Sequence, residues 1–349
     1  MVFVNNSFLT SRHGVLGCST CHGGDPKSSA KEEAHVNLIA APSNTHNRET
    51  CGGCHGSISE DHASSLHRNM KGYFRRIENR LGYDISTDPQ LMVHFEKECG
   101  KCHASCGQCH VSRPASVEGG FINGHNFQAT PSLRENCTAC HGSRIGAEYL
   151  GENEGLKPDV HWIPNVKRCD FCHSGHAMHA SSPGADYRYE DKDLVTCEKC
   201  HAARSEANAY HQKHWDDLSC HVCHSQPYKN CNSCHTGGAG ITGTSYMAFK
   251  IAKNPLPAST RRYKVVTVRH IPISRDTYAS WGIADLPLYD SEPTWKYASP
   301  HNIQRWTAQT DTSGGASCAK KCHTDNSLYL TLADLAAEEV EANRHLLLR

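Results

Sequence analysis

The sequence predicts a mostly irregular chain with short α-helices and minimal β, its interior filled by covalently attached groups rather than by its own side chains. Three observations predict this. The 349 residues are polar, with aromatics at 7% and a mean hydropathy of −0.60, so apolar side chains alone make a thin core. Cys occurs 20 times and His 26 times, far above what packing requires. The cysteines, moreover, come as close pairs spread along the chain. A chain this polar must offset a large conformational entropy with little side-chain burial, and bulky attached groups would resolve that deficit.

The pairs follow one pattern. Nine copies of C-x-x-C-H occur, beginning with Cys18-Ser19-Thr20-Cys21-His22. Next come Cys51/Cys54/His55, Cys99/Cys102/His103, Cys106/Cys109/His110 and Cys137/Cys140/His141. The series closes with Cys169/Cys172/His173, Cys197/Cys200/His201, Cys220/Cys223/His224 and Cys231/Cys234/His235. A tenth copy, Cys318-Ala319-Lys320-Lys321-Cys322-His323, has three residues between its thiols. This is the haem attachment signature. Two thiols add across the vinyl groups of one porphyrin, and the adjacent His meets the iron from the same side. One helical turn presents all three groups. The ten copies consume all 20 cysteines, leaving none for a disulfide or a nucleophile. A zinc ribbon also uses paired C-x-x-C knuckles, but it does not require a His after each one. Here His follows ten of ten. The cofactors are therefore read as ten covalently bound haem c groups.

Each iron needs a second axial ligand, and its identity tunes the potential. Met is scarce, at five residues, whereas sixteen His lie outside the attachment positions. Supply favours bis-histidine, low-potential haems with no open coordination site. The preferred distal set is His13, His35, His67, His94, His125, His161, His179, His214, His270 and His301. His211 is a close reserve, three residues before His214 and on the same helical face. His62 competes with His67, and His176 with His179. His221 sits inside a motif and His345 near the end of the chain, where both are weaker candidates, and His46 completes the sixteen.

The chain divides by motif content. Residues 1–235 form a nine-haem region, residues 236–317 carry no attachment motif, and residues 318–349 hold the tenth motif and a C-terminal helix, all within one continuous haem-packed unit. Motif starts are separated by 7 to 87 residues, which argues against a simple solenoid. Cys99 to His110 anchors two haems on one short stretch, as does Cys220 to His235, and such neighbours must lie almost in contact. Short helices at the motifs, joined by Gly- and Pro-rich loops, are expected. In the motif-free segment, Tyr263-Lys264-Val265-Val266-Thr267-Val268-Arg269-His270-Ile271 reads as a strand. The rest of that segment reads as a coat that wraps haems and donates His270 and His301, or as a docking surface. Trp281, Trp295, Tyr297 and Trp306 would pack on porphyrin faces. From Ser327 the tail reads as an amphipathic helix capping the fold. Arg75-Arg76 and Arg261-Arg262 read as solvated charges or propionate partners.

Lys plus Arg and Asp plus Glu are each 36, so charge gives no reason to expect a nucleic-acid partner. Ten haems would add up to about 20 propionate charges and make the loaded protein acidic. No run of 18 apolar residues occurs, so no membrane span is expected. The opening Met1-Val2-Phe3-Val4-Asn5-Asn6 is too short and polar for a signal peptide, and is read as a processed or trimmed start, because haem attachment is expected outside the cytoplasm.

Ten such motifs in this length resemble the multihaem c-type cytochromes of respiratory bacteria and archaea, which implies a haem-cored fold. Three stretches look like a decahaem family of extracellular electron transfer: Cys102-His103-Ala104-Ser105-Cys106-Gly107-Gln108-Cys109-His110; Cys223-His224-Ser225-Gln226-Pro227-Tyr228-Lys229-Asn230-Cys231; and Trp295-Lys296-Tyr297-Ala298 leading to Pro300-His301-Asn302-Ile303-Gln304-Arg305. The resemblance implies electron conduction through close bis-His haems to extracellular acceptors, at the cell surface or beyond it rather than in the periplasm. Partners would be redox proteins or copies of the chain itself, since some similar cytochromes polymerise into filaments with a His of one subunit on a haem of the next. His13 would be the natural donor. The alternative is a multihaem reductase of nitrogen or sulfur oxyanions with one open haem. Several such enzymes mark that haem with C-x-x-C-K, which does not occur here.

Overall fold

The computed structural model describes residues 4–44, 46–102, 104–179, 185, 188–191, 194–204, 206–231, 245–258, 261–271, 273–315 and 317–348. Between irregular stretches lie many helices of four to six residues and only a few of nine to eleven, the longest being Lys71–Leu81 and Pro89–Glu98. The expectation of a mostly irregular chain with short helices and minimal β is met. No helix of the described residues is long and apolar enough to cross a membrane.

Helices form at most attachment motifs, and local chemistry delimits them. Cys18–His22 is bracketed by Gly17 and Gly23, both at positive φ. A Cβ on Gly23 would stand 2.7 Å from the Asn37 carbonyl, so only glycine allows the chain to turn back there. Ser105 starts Cys106–His110, its N–H donating to the Gln108 carboxamide at 3.0 Å in a capping arrangement. Ser317 starts Cys318–His323 by accepting from the Lys320 N–H at 3.1 Å. Asn208 caps Ala209–His214 by accepting from the N–H groups of Tyr210 and His211, each at 3.0 Å.

Among the described residues lie five short strands: β1 (Tyr228–Asn230), β2 (Tyr246–Ala248), β3 (Ile251–Lys253), β4 (Val265–His270) and β5 (Trp295–Tyr297). β1 pairs antiparallel with β2, and β4 lies between β3 and β5 in a second antiparallel sheet. The strand expected around residues 263–271 is thus β4. Its residues from Val266 to His270 are all buried, so it is covered on both faces and does not alternate. Tyr228, Phe249, Ile251 and Ala298 pack beside it with Val222.

The C-terminal tail departs from expectation. It is not one amphipathic helix but a string of single turns, with Val340–Asn343 the only α-helical piece among its described residues. Two local caps break it. Asp334 accepts from the N–H of Thr331 at 2.9 Å, and Glu339 from the N–H of Ala336 at 3.0 Å, each holding the capping residue in extended backbone. Upstream, the Leu330 N–H donates to the Ile251 carbonyl at 2.9 Å, so this part of the tail lies along β3 instead of coiling.

The chain folds as two compact units, each built from three stretches. The first comprises Met1–Lys71, Phe95–Gly142 and Arg168–Asp193; the second comprises Gly72–His94, Ser143–Lys167 and Leu194–Arg349. All five strands belong to the second.

Candidate functional site

The candidate site is a set of paired imidazoles. In the first unit His55 faces His13 with ring centres 6.3 Å apart, His22 faces His125 at 5.9 Å, His141 faces His67 at 6.3 Å, and His110 faces His179 at 6.0 Å. In the second unit His201 faces His161 at 6.1 Å, His224 faces His211 at 6.0 Å, and His323 faces His214 at 6.4 Å. Every one of these seven pairs joins a motif histidine to a histidine from the candidate distal set. An iron held between two imidazoles fits this spacing. Two metal–nitrogen bonds of about 2 Å, plus roughly 1 Å from each nitrogen to its ring centre, separate the centres by roughly 6 Å. The residues present therefore fit haem c: two thiols, a ligand beside them, and a second imidazole across an iron-sized gap.

The turns that carry the thiols are not uniform. Cys18–His22, Cys106–His110, Cys220–His224 and Cys318–His323 are helical from first thiol to histidine. Cys51 to His55 departs from that expectation. Gly52 and Gly53 between its thiols give low helical propensity, and the segment closes as turns, with the N–H groups of Cys54 and His55 donating to the Cys51 carbonyl at 3.2 and 2.8 Å. Cys54 is exposed, whereas Cys51 is half-buried within hydrogen-bonding reach of Cys106. Cys140 departs in another way. It lies on the short helix Thr138–His141, while Cys137 ends the wider π-helical turn Leu133–Cys137. The Cys140 Sγ is 3.3 Å from Oγ of Ser116 and within reach of Cys102, and Cys137 is within reach of Cys169. Among the described residues no cysteine is in a disulfide, so Cys54 and Cys140, like the rest, keep the thiol that a thioether bond requires.

Hydrogen bonds select the ring nitrogen that is free to ligate. Nδ1 of His22 lies 2.7 Å from the Ile39 carbonyl, Nδ1 of His110 2.7 Å from that of Gln128, and Nδ1 of His224 3.2 Å from that of Gln304. Among the facing rings, Nδ1 of His211 lies 2.8 Å from the Arg204 carbonyl. A carbonyl only accepts, so each Nδ1 carries the proton and Nε2 keeps its lone pair for a metal. His161 differs. Its Nδ1 lies 2.7 Å from Oδ1 of the buried Asp159.

Burial supplies the neutral form that ligation needs. It pushes His67 down to about 4, with repulsion from His141, His173 and His179 adding to the effect. Burial likewise lowers His13, His125, His179, His214 and His224. His161 moves the other way, raised by its hydrogen bond to Asp159.

The remaining predicted residues fall elsewhere. His173 ends the Cys169–Cys172 helix half-buried, and burial lowers its pKa. His301 is fixed by its Nδ1 at 2.8 Å from the Ser299 carbonyl and by its N–H donating to Glu148 at 2.9 Å. Among the described residues no motif histidine stands at that ring spacing from His35, His94 or His270. His35 is exposed after the Lys31–Ala34 helix, and His94 stacks on Trp281 at 5.9 Å. His270 is buried with its Nε2 held 2.7 Å from Oε1 of Glu339. His103, Cys234 and His235 lie outside the described residues. No three His, Cys, Asp or Glu side chains among the described residues gather as a protein-only metal centre would.

Of the aromatics assigned to porphyrin faces, Trp281, Trp295 and Tyr297 are buried and Trp306 is exposed. Arg76 pairs with Glu292 at 2.7 Å and Arg262 with Asp216 at 2.8 Å, so these two are neither simply solvated nor without carboxylate partners. Sequence reasoning missed the groups behind the imidazoles. The carbonyl anchors carry no side-chain signal, but Asp159-Val160-His161 does: an Asp two residues before a His closes a local turn onto its backbone N–H, here at 2.8 Å. Phe127, stacked on His13 at 4.1 Å and edge-on to His125 at 6.1 Å, was also missed.

No protein-family model matches this chain, and no curated protein matches it. Among solved structures it is similar to an octaheme cytochrome c from Shewanella oneidensis, with a TM-score of 0.42 and 14% identity over 85% of this chain and 94% of that one.

Proposed function

We propose that this chain is a decahaem c-type cytochrome whose work is to conduct electrons through closely spaced bis-His haems. The observation that carries the reading is the set of seven motif-to-distal imidazole pairs, all spaced at 5.9–6.4 Å. Independent support comes from apolar side chains left in the open beside attachment sites. Val15 is 69% exposed just ahead of Cys18, and Phe171, between Cys169 and Cys172, is 59% exposed. A macrocycle bound at those thiols would cover them.

Bound haem supplies one-electron storage at each site. The chain's own residues do the rest. Cysteines, Cys54 and Cys140 among them, fix position through thioether bonds, paired imidazoles fill both axial positions, and Nδ1 anchors hold each ring in its ligating tautomer. One helix, Ala209–His214, presents His211 to His224 and His214 to His323, which brings the sites of two motifs to within one turn of each other. Thioether attachment puts the working protein outside the cytoplasm. Its partners in this reading are redox proteins or further copies of the chain, assembled as a filament, with an extracellular acceptor at the end.

The test is mass spectrometry of the native protein combined with electron paramagnetic resonance. Ten haem increments and wholly low-spin ferric signals are expected. A bare polypeptide mass would overturn the reading, and a resident high-spin haem would move it to an oxyanion reductase.

A further inference from the structure

The haem sites in the second unit do not have equivalent surroundings. Asp159 is 2% exposed, and its Oδ1 accepts from both the N–H and the Nδ1 of His161, at 2.8 and 2.7 Å. Its Oδ2 accepts from the Ile303 N–H at 2.7 Å. Among the described residues no Lys or Arg forms an ion pair with it, so the carboxylate charge is directed at the imidazole. His224 and His211, which face each other at a neighbouring site, rest on neutral backbone carbonyls.

We propose that Asp159 is a potential-setting residue: it makes the haem held by Cys197, Cys200, His201 and His161 more reducing than the haem held by Cys220, Cys223, His224 and His211. This rests on the haem reading above. A buried anion accepting Nδ1–H draws the proton away from the ring, makes Nε2 a stronger donor, and favours the ferric over the ferrous state. A carbonyl polarises the ring without adding charge. Cys197 and Cys220 lie within hydrogen-bonding reach of each other, so the two sites adjoin. An electron crossing from the first to the second therefore runs downhill, and Asp159 gives that step its direction. Segment 302–304 ties the two environments together, because the Ile303 N–H holds Asp159 while the Gln304 carbonyl holds His224.

The experiment is a spectroelectrochemical titration of the native holoprotein and of Asp159→Asn, with haem content counted first in each. Asp159→Asn keeps an acceptor for Nδ1 and removes the charge. One haem is expected to become at least tenfold easier to reduce, which is 59 mV for a one-electron couple, with the others in place. An unchanged titration from a protein that retains all its haems and its low-spin spectrum overturns the proposal. If the variant does not fold, resonance spectra of the native protein decide. One low-spin ferric haem should show the compressed g-anisotropy of an imidazolate-like ligand, and its absence overturns the proposal. Lack of haem in the native protein would instead refute the reading beneath it.

Discussion

The first unit carries six attachment motifs, and its buried apolar side chains among the described residues are Phe8, Met70, Phe95, Val111, Leu133, Ala185 and Tyr189. The second carries four motifs and buries twenty-one, among them Val266, Val268, Tyr228 and Leu286 at 0% exposure. The two units thus reach compactness differently. Where attachment sites are dense, the polypeptide provides turns, caps and ligands but little interior of its own. Where they thin out, β-branched and aromatic residues build a sheet that fills itself. Motif density and side-chain core replace one another, as expected if an attached macrocycle is the missing hydrophobic mass.

Removing haem tests the comparison most severely. Chain produced without haem attachment should lose amide protection throughout the first unit while β3, β4 and β5 keep theirs, as read by hydrogen exchange. Equal loss in both units would break the contrast. A smaller effect is expected from Trp295→Ala in the loaded protein. Trp295 is 1% exposed and packs on His270 at 5.2 Å, so its truncation should cost the second unit about 3–5 kcal/mol in denaturant unfolding.

Next comes a charge effect confined to the second unit. Glu292 accepts from Arg80 at 3.1 Å and from Lys296 at 2.5 Å, besides Arg76 and Asn79. Burial alone would raise its carboxyl, but Lys296 and Arg76 outweigh burial and hold it down to about 2, against an ordinary 4.5. A depressed acid contributes stability that is complete above the unfolded value and is lost as pH falls through the folded one. The second unit should therefore weaken between pH 4.5 and about 2 by on the order of 3 kcal/mol. Glu292→Gln should flatten that acid limb and lower stability at neutral pH, since it leaves Arg76 and Arg80 facing each other without their carboxylate, while burial already lowers Lys296 to about 7. An acid limb unchanged in Glu292→Gln would assign the pH dependence elsewhere.

Much of this was legible before any coordinates. Covalent attachment calls for two nearby thiols followed at once by a His, so the candidate attachment sites are legible directly, the longer Cys318–His323 motif included. Their local shape was less legible, since Gly52 and Gly53 turn Cys54 out to the surface where a helix was expected. β4 was legible from its β-branched run. The partner of each motif histidine was not, because His67 with His141, or His214 with His323, meet only through the tertiary fold. Counting histidines against Met proposed the ligand type and took in most of the facing rings, and the same set includes His270, whose Nε2 is held by Glu339. The tail misled because its leucines recur at helical spacing, while the competing caps at Thr331 and Ala336 are strong enough to break it into turns.

The finest probe of the contrast is one hydroxyl. Tyr228 is fully buried, and its phenol O–H lies 2.6 Å from the Val268 carbonyl on β4 and 3.0 Å from the Lys250 carbonyl ahead of β3. Burial raises its pKa beyond the ordinary tyrosine range, so the proton stays available for donation at any working pH. Tyr228→Phe keeps the ring in place and removes only the hydroxyl, which also accepts from the Lys250 N–H at 3.4 Å. The expected loss is roughly 1 kcal/mol, the net worth of an internal hydrogen bond, because the Lys250 carbonyl it served still accepts from the Val268 N–H at 2.9 Å. The loss should be seen in haem-free and loaded protein alike, since the bond belongs to the self-filled sheet and not to a cofactor site. A cost that vanished without haem would mean that the sheet, too, is held together from outside.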